Sequence, residues 1–277
     1  MAGGEGKGSI RRCAVCGTFY PDNRAELASS IDRLFKDVPP HTGGTIKGII
    51  APHAGYAYSG ATAATAFGRL KGSAYDGVLI VSPSHREYFE GSTVFDGAGY
   101  ATPLGVVPVD EELRDRLLAA SPEIRASRAG HQSEHAVEVQ LPFLQRALGG
   151  FAFVPMVIGH QTPATCFSVG KAIAEAVGDR KILLIASTDL SHYYSADVAH
   201  RLDTIVIDDL RTFNERALMD HLERGTTEAC GGGPAVAVLT ALRLLGSSRV
   251  EILQYATSGD VTGDYGSVVG YVGALAV

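Results

Sequence analysis

Each of three apolar runs in this sequence is followed shortly by a histidine. The pairs of run and histidine are 46–51 with His53, 77–82 with His85, and 181–187 with His192. Ligand sites in open α/β sheets lie beyond the carboxyl ends of the strands, so we expect the three imidazole rings to meet at one edge of a sheet. Imidazole is the commonest side-chain ligand of transition metals and titrates near neutral pH. The pattern therefore predicts a metal site or a site of acid–base catalysis.

Asp189 and Cys230 could complete such a site. Asp189 precedes His192 by three positions, where its carboxylate could orient the imidazole, accept a hydrogen bond from a metal-bound water, or cap the turn. Cys230 stands before three glycines and a predicted helix, whose dipole favours the thiolate form. The glycines also let the backbone approach a ligand closely. Cys230 is therefore a candidate metal ligand or nucleophile.

The segment from Gly130 to Phe143 is predicted to open a helix with Ser133 as its cap. It places Glu134 and Glu138 one turn apart, but it lacks the two histidines of the H-E-x-x-H metalloprotease motif. We expect three further side chains to line the pocket, namely His135, Tyr56 and Ser84.

Helical patterns alternate with the apolar runs, which is typical of a single α/β domain with a central, mostly parallel sheet flanked by helices. The predicted strands are 46–51, 77–82, 151–158, 181–187, 250–256 and 267–276. The predicted helices lie near 24–36, 59–70, 109–120, 134–148, 163–178, 197–223 and 234–245. Residues 93–108 look like an inserted hairpin or meander that decorates the same sheet. We expect a flexible segment over 1–10 and one domain over 11–277.

Composition excludes several classes of protein. A net charge of -6 and a pI near 5.8 argue against a protein that binds mainly nucleic acid. The amino terminus lacks the apolar core of a signal peptide, and no run approaches the roughly 18 apolar residues of a membrane span, so a cytoplasmic location is expected. The motifs of α/β-hydrolases, P-loop NTPases and dinucleotide-binding proteins are absent from the sequence.

In a reducing compartment we expect the cysteines to remain thiols. Cys13 and Cys16 have a C-x-x-C spacing, but no second pair of ligands accompanies them, so a structural zinc site would lack half its ligands. We interpret them as an adventitious pair without a function.

A set of ordered motifs resembles the Memo-like family over nearly the whole chain. The motifs are Arg12 with GTFYP, then APHAGYAYSG, SPSH, EHAVEVQLPFL, STDLSHY and CGGGP. In bacteria such proteins are often called AmmeMemoRadiSam system protein B, after their association with AMMECR1 and radical SAM proteins. The resemblance implies a fold similar to LigB-type class III extradiol dioxygenases, which are non-haem iron enzymes.

The resemblance also assigns residues. His53 and His85 match the paired metal-site histidines, Asp189 and His192 match further pocket residues, and Cys230 matches the position of a glutamate in the dioxygenases. A thiolate is a softer ligand than a carboxylate, so the implied metal is iron, as Fe2+, or copper. Cys13 and Cys16 depart from the usual A-V-A-G start of the family.

Three functions remain open at this stage. The first is an oxygen-dependent redox enzyme in which a metal is held by His53, His85 and Cys230 while His192, oriented by Asp189, moves a proton. The second is a non-catalytic protein that binds a metal or a peptide and partners radical SAM and AMMECR1-like proteins. The third is a metal-free cysteine hydrolase that uses Cys230 and His192.

Overall fold

The computed structural model of the chain describes residues 8–277. Most of the expected flexible segment, residues 1–7, lies outside the described residues, whereas Ile10 already belongs to a strand. The strands are β1 (Ile10–Arg11), β2 (Gly48–Ala51), β3 (Gly77–Pro83), β4 (Ser92–Phe95), β5 (Gly99–Thr102), β6 (Gly105–Pro108), β7 (Ile124–Ser127), β8 (Phe153–Ile158), β9 (Ile182–Ser187), β10 (His192–Tyr194), β11 (Val250–Thr257) and β12 (Val268–Ala276).

The helices lie between these strands. They are α1 (Arg24–Phe35), α2 (Tyr56–Phe67), α3 (Glu111–Ala120), α4 (Leu141–Leu148), α5 (Pro163–Val177), α6 (Ala196–Arg211), α7 (Glu215–Glu223), α8 (Gly232–Leu244) and α9 (Gly259–Thr262). Within residues 8–277, no helix is both long enough and apolar enough to cross a membrane.

One large mixed sheet forms the centre of the domain. Its strand order is β10-β12-β2-β9-β3-β8-β4-β7, and β11 also pairs with β12. The four central strands, β2, β9, β3 and β8, are mutually parallel. The flanking strands β12 and β4 run antiparallel to β2 and β8. The predicted single α/β domain is therefore confirmed, with a parallel centre inside a mixed sheet.

The central strands read as continuous apolar runs because both faces of the sheet are covered. Every residue of β3, β8 and β9 is buried. Residues of α3, α5, α6, α7 and α8 form the apolar core on one face, and residues of α1, α2 and α4 form the core on the other. Because β2, β3 and β9 are parallel, their carboxyl ends lie at one edge of the sheet, as the sequence predicts.

Two predicted helices differ from the structure. The helix expected over 134–148 begins at Leu141, after a single 3-10 turn at Glu138–Gln140, and residues 131–137 form a loop. In this loop the Glu134 carboxylate accepts the backbone N–H groups of His135, Ala136 and the distant His85, and these contacts hold the loop in place. The helix expected over 197–223 is two helices, α6 and α7. They are separated at Phe213, whose φ of 53° is left-handed and ends α6.

The region 93–108 does not decorate a single sheet. β4 joins the main sheet between β8 and β7, whereas β5 and β6 form an antiparallel hairpin that pairs with β1 in a separate three-stranded sheet. Strand β7 and the short strand β10 were not predicted from the sequence.

Cys13 and Cys16 form a disulfide, so the expectation that all cysteines remain thiols is wrong for this pair. Residues 13–19 make a tight turn in which the amides of Thr18 and Phe19 donate to the Val15 carbonyl. The turn brings the two cysteine Cα atoms to 5.8 Å, within the range a disulfide spans. Cys166 and Cys230 are free thiols.

Candidate metal centre

Three side chains with ligand atoms converge at the predicted edge of the sheet. His53 lies two residues beyond β2, His85 lies two residues beyond β3, and Cys230 lies in the turn before α8. One ligand atom from each lies within 4.8 Å of the other two. The imidazole centroids of His53 and His85 are 5.0 Å apart, and the His53 Nε2 atom is 3.2 Å from the Cys230 sulfur. The structure thus brings together the three residues expected to bind a metal, which we call the metal cluster.

The protonation of the His53 ring follows from counting the hydrogens on Ser187. The Ser187 hydroxyl donates its single proton to the Ala136 carbonyl and accepts an N–H from Gln140. The His53 Nδ1 atom lies 2.9 Å from the same hydroxyl oxygen, so Nδ1 must be the donor in that contact. The lone pair of His53 therefore lies on Nε2, which faces Cys230.

The His85 ring is held in the same way by a carboxylate. Glu134 Oε1 lies 3.0 Å from His85 Nδ1, and Glu134 Oε2 accepts the His85 backbone N–H. Burial by itself would raise the pKa of Glu134. The hydrogen bond and charge of His85, with two backbone N–H groups, outweigh burial and lower the pKa to about 2. The ionised carboxylate accepts the Nδ1 proton and leaves the lone pair on His85 Nε2. Carboxylates that orient metal-binding histidines in this way are common in metalloproteins.

Cys230 is positioned by its own turn. Its amide donates to the Asp189 carbonyl, and the Asp189 amide donates to its sulfur at 3.3 Å. Gln161 spans the turn, donating to the Cys230 carbonyl at 2.8 Å and accepting the Gly233 amide at 2.8 Å. At Gly231 a Cβ atom would collide with the Ser187 carbonyl, so only glycine lets the turn pack against β9.

The sulfur of Cys230 is a thiol in the metal-free protein, not the thiolate expected from its place before α8. Burial, followed by the charge of Asp189, raises the pKa of Cys230 above its usual value. The sequence interpretation overlooked this burial, which disfavours the thiolate. A metal ion must therefore displace the thiol proton when it binds.

His135 lies against both ligand histidines. Its ring centroid is 5.4 Å from that of His53 and 5.0 Å from that of His85, with which it stacks. Its Nδ1 atom is 3.2 Å from Glu134 Oε1 but has no hydrogen-bond partner within the described chain. Burial, followed by the charge of His53, lowers the pKa of His135 to about 4. His135 therefore adds a neutral ring to the site.

Asp189 and His192 lie beside the metal cluster. The Asp189 carboxylate accepts the His53 backbone N–H at 2.8 Å, and burial raises the pKa of Asp189. A charge on His192 would lower the pKa of both Asp189 and His53. The His192 amide donates to Glu228. Among residues 8–277, His192 lies outside the groups of converging ligand atoms, and its part in proton transfer stays a prediction.

Two residues expected in the pocket are engaged elsewhere. The Tyr56 hydroxyl donates to the Val139 carbonyl, and its ring packs against Phe143 and lines a neighbouring groove. The Ser84 hydroxyl donates to the Glu87 carbonyl within its own turn.

Three residues that position the ligands were missed by sequence reasoning: Ser187, Gln140 and Gln161. Ser187 is the last residue of β9, and its place at a strand end was a usable signal. No comparable sequence signal marked Gln140 or Gln161. Glu134 was noticed but was assigned to a helix.

The donor set fits a transition metal. Two imidazole nitrogens and a sulfur suit iron, copper or zinc and are poor ligands for Mg²⁺ or Ca²⁺. Donor atoms around one such ion are roughly 3–4 Å apart. The His53 Nε2 atom and the Cys230 sulfur, 3.2 Å apart, already lie in that range, and all three ligand atoms lie within 4.8 Å of one another.

Comparisons with known proteins identify the family. The family described as Memo-like protein matches residues 11–275. A MEMO1 family protein of Methanothermobacter thermautotrophicus is 38% identical over 272 residues, covering 95% of this chain and 98% of the relative. Another MEMO1 family protein, from Methanopyrus kandleri, is 39% identical over 274 residues, covering 94% of this chain and 96% of the relative. The crystal structure of an uncharacterized protein of Escherichia coli K12 shares the fold, with a TM-score of 0.56 and 18% identity over 84% of this chain and 100% of that chain. The family match and the similarity to these relatives over nearly the whole chain show that the chain belongs to the Memo-like family.

Proposed function

We propose that this Memo-like protein is a non-haem iron protein of the cytoplasm that carries out oxygen-dependent redox chemistry together with radical SAM and AMMECR1-like proteins. His53, His85 and Cys230 are the ligands, and copper is the competing ion. The observation that carries the proposal is the convergence of two Nε2 lone pairs and a sulfur, each imidazole being oriented by a fixed acceptor on its Nδ1 proton.

The ligands favour iron or copper for chemical reasons. Imidazole nitrogen binds both metals well, and the sulfur of Cys230 is softer than the carboxylate that completes many iron sites. Three protein ligands leave positions open for a substrate. When bound, Fe²⁺ would supply one-electron chemistry at those positions.

Asp189 and His192, beside the metal cluster, are the residues that hold and transfer protons in this proposal. Asp189 is buried, and burial raises its pKa, so its carboxyl group holds a proton more readily than an exposed aspartate does. Its Oδ1 atom also accepts the backbone N–H of His53, and this hydrogen bond keeps the carboxyl group beside the site. His192, close to Asp189, can pass a proton between that carboxyl group and a substrate.

Metal analysis of protein purified without oxygen tests the ligand set. We expect about one iron per chain in the native protein and loss of the same metal in His85→Ala and in Cys230→Ser. His200→Ala is the matched control, because His200 lies on the exposed surface of α6, bonded to Thr204. Retention of iron by both ligand variants would overturn the assignment. Oxygen uptake by the iron-loaded protein with a panel of catechols and phenols then tests turnover.

A non-catalytic role is the alternative, favoured by the thiol at the third ligand position. A sulfur ligand is itself open to oxidation, which disfavours repeated turnover with oxygen. This alternative predicts tight metal binding that is lost in His53→Ala, no oxygen uptake with any substrate of the panel, and capture of a radical SAM or AMMECR1-like protein by the native chain.

A further inference from the structure

The Cys13–Cys16 disulfide belongs to a loop that contacts His135, the ring next to the metal cluster. We call residues 13–20 the cysteine loop. Within it, the Phe19 ring packs edge-on against His135, with centroids 4.9 Å apart. The Phe19 carbonyl accepts the amide of Tyr56, three residues beyond His53. The loop therefore contacts the ring that stacks on His85 and the first residue of α2.

The loop is held in place by more than its disulfide. The Glu138 carboxylate accepts the amides of Ala14 and Val15 at 2.7 and 3.1 Å and the Tyr20 hydroxyl at 2.5 Å. A disulfide that closes so short a loop restricts the unfolded chain less than one that closes a long loop. The contacts to Glu138 keep the loop attached when the disulfide opens, so the bond can break without unfolding the domain.

The surroundings of the pair favour reversible exchange. Cys13 and Cys16 are both half-buried, so a small reagent can reach them. Cys166 is buried in the core on the other face of the sheet, and burial raises its pKa to about 12. It is therefore a poor competitor for the disulfide.

We propose that Cys13 and Cys16 form a reversible thiol–disulfide centre that reacts with dithiols and controls how firmly Phe19 is seated on His135. In the oxidised state the bond tightens the cysteine loop. In the reduced state the loop keeps its contacts with Glu138 but loses the cross-link, and the contacts of Phe19 with His135 and Tyr56 open more often.

The exchange is balanced with a dithiol as the reductant. One thiolate of the dithiol attacks a sulfur of the pair, forms a mixed disulfide and expels the other cysteine as a thiolate. The second thiol of the reagent then displaces the first cysteine and closes a cyclic disulfide. Two electrons and two protons pass to the protein, which gains two thiols. The oxidised cyclic reagent reverses the reaction.

The metal-free full-length chain provides the test, so that the result does not depend on metal binding. The protein is equilibrated with mixtures of reduced and oxidised dithiothreitol, its thiols are counted by alkylation and mass spectrometry, and amide hydrogen exchange is followed by peptide. We expect two additional thiols on reduction and their loss on reoxidation. We also expect about tenfold faster exchange at residues 14–20 and at Tyr56, with α5 unchanged.

A Cys13→Ser, Cys16→Ser double variant is the control. Its cysteine loop should show the fast rate of amide hydrogen exchange in both reduced and oxidised dithiothreitol. Thiols that appear only when the whole chain unfolds would overturn the proposal. Equal exchange rates in the oxidised and reduced states would overturn it as well. Neither outcome would affect the assignment of His53, His85 and Cys230, which depends on metal analysis.

Discussion

Two buried polar clusters lie on either side of residues 134–138, and they differ in how their polar atoms are used. In the first, which we call the Glu138 cluster, each carboxylate oxygen of Glu138 accepts two donors. The donors are the Arg11 guanidinium, the Tyr20 hydroxyl and two amides of the cysteine loop. In the metal cluster, by contrast, the imidazole lone pairs of His53 and His85 face a shared space beside Cys230.

The difference separates a structural cluster from a ligand site. Arg11 also donates to the carbonyls of His131 and Glu134, and it stacks on the Tyr100 ring, so the charges of the Glu138 cluster are compensated within the fold. His131 is likewise engaged at both ring nitrogens, by Tyr100 and Thr93. Of these two clusters, the metal cluster is the one in which the ring N–H groups of His53 and His85 have acceptors while their remaining lone pairs are available, an arrangement that a cation can stabilise.

The comparison is tested most severely by Glu138→Ala. Removal of the carboxylate leaves the Arg11 charge buried without its partner, so we expect the free energy of unfolding of the metal-free protein to fall by about 3–5 kcal/mol. Urea denaturation measures the change. Glu111→Ala is the control, because that exposed carboxylate lies 3.6 Å from Arg114 and should contribute less than about 1 kcal/mol. If Glu138→Ala lowered the free energy of unfolding by less than about 1 kcal/mol, the Glu138 cluster would not be structural.

Glu134→Gln tests whether the carboxylate next to His85 serves the metal. The amide no longer offers a charged acceptor to His85 Nδ1, and we expect metal affinity to fall about 10-fold to 100-fold, measured by competition with a chelator. Glu90→Gln is the matched control, since Glu90 contacts His160 at 3.5 Å on the surface. Equal affinities for both variants would contradict the role given to Glu134.

The raised pKa of Cys230 predicts how metal affinity depends on pH. The thiol is protonated in the metal-free protein and must lose its proton on binding, so affinity should rise about tenfold per pH unit from pH 7 to 8.5. Calorimetry in buffers of different ionisation enthalpy at pH 8, where free imidazole is neutral, should show about one proton released per ion. In Cys230→Ser, whose weakened binding is measured at higher metal concentrations, no proton release should accompany the metal that still binds. Binding without proton release by the native protein would mean that the sulfur is already a thiolate.

The smallest effect is expected for Ser187→Ala. The variant removes the acceptor of the His53 Nδ1 proton while leaving Nε2 in place, so metal affinity should fall only about threefold to tenfold, the value of one neutral hydrogen bond. Thr204→Ala is the control, because the Thr204 hydroxyl contacts the ring of His200 on the surface. If Ser187→Ala lowered metal affinity more than Glu134→Gln does, Ser187 would be the more important of the two residues that orient the ligand histidines.

Local sequence patterns were enough to predict the fold class, the family and the edge of the sheet at which the site lies. Continuous apolar runs marked the buried strands β3, β8 and β9, and residues directly beyond a strand cannot move far from its end. His53 and His85 could therefore be placed from local spacing alone. The motifs identified the family for the same reason, because each is a contiguous stretch of chain.

Only the tertiary structure decided which atoms of those residues are available. The lone pair of His53 depends on Ser187, which is 134 positions away, and the loop at 131–137 depends on Glu134 bonding to His85 as well as to its own neighbours. The expected helix failed there because these contacts outweigh local helix propensity. The thiol state of Cys230 and the pairing of Cys13 with Cys16 were likewise misjudged. Burial and turn geometry, neither of which is encoded in residue spacing, determine both.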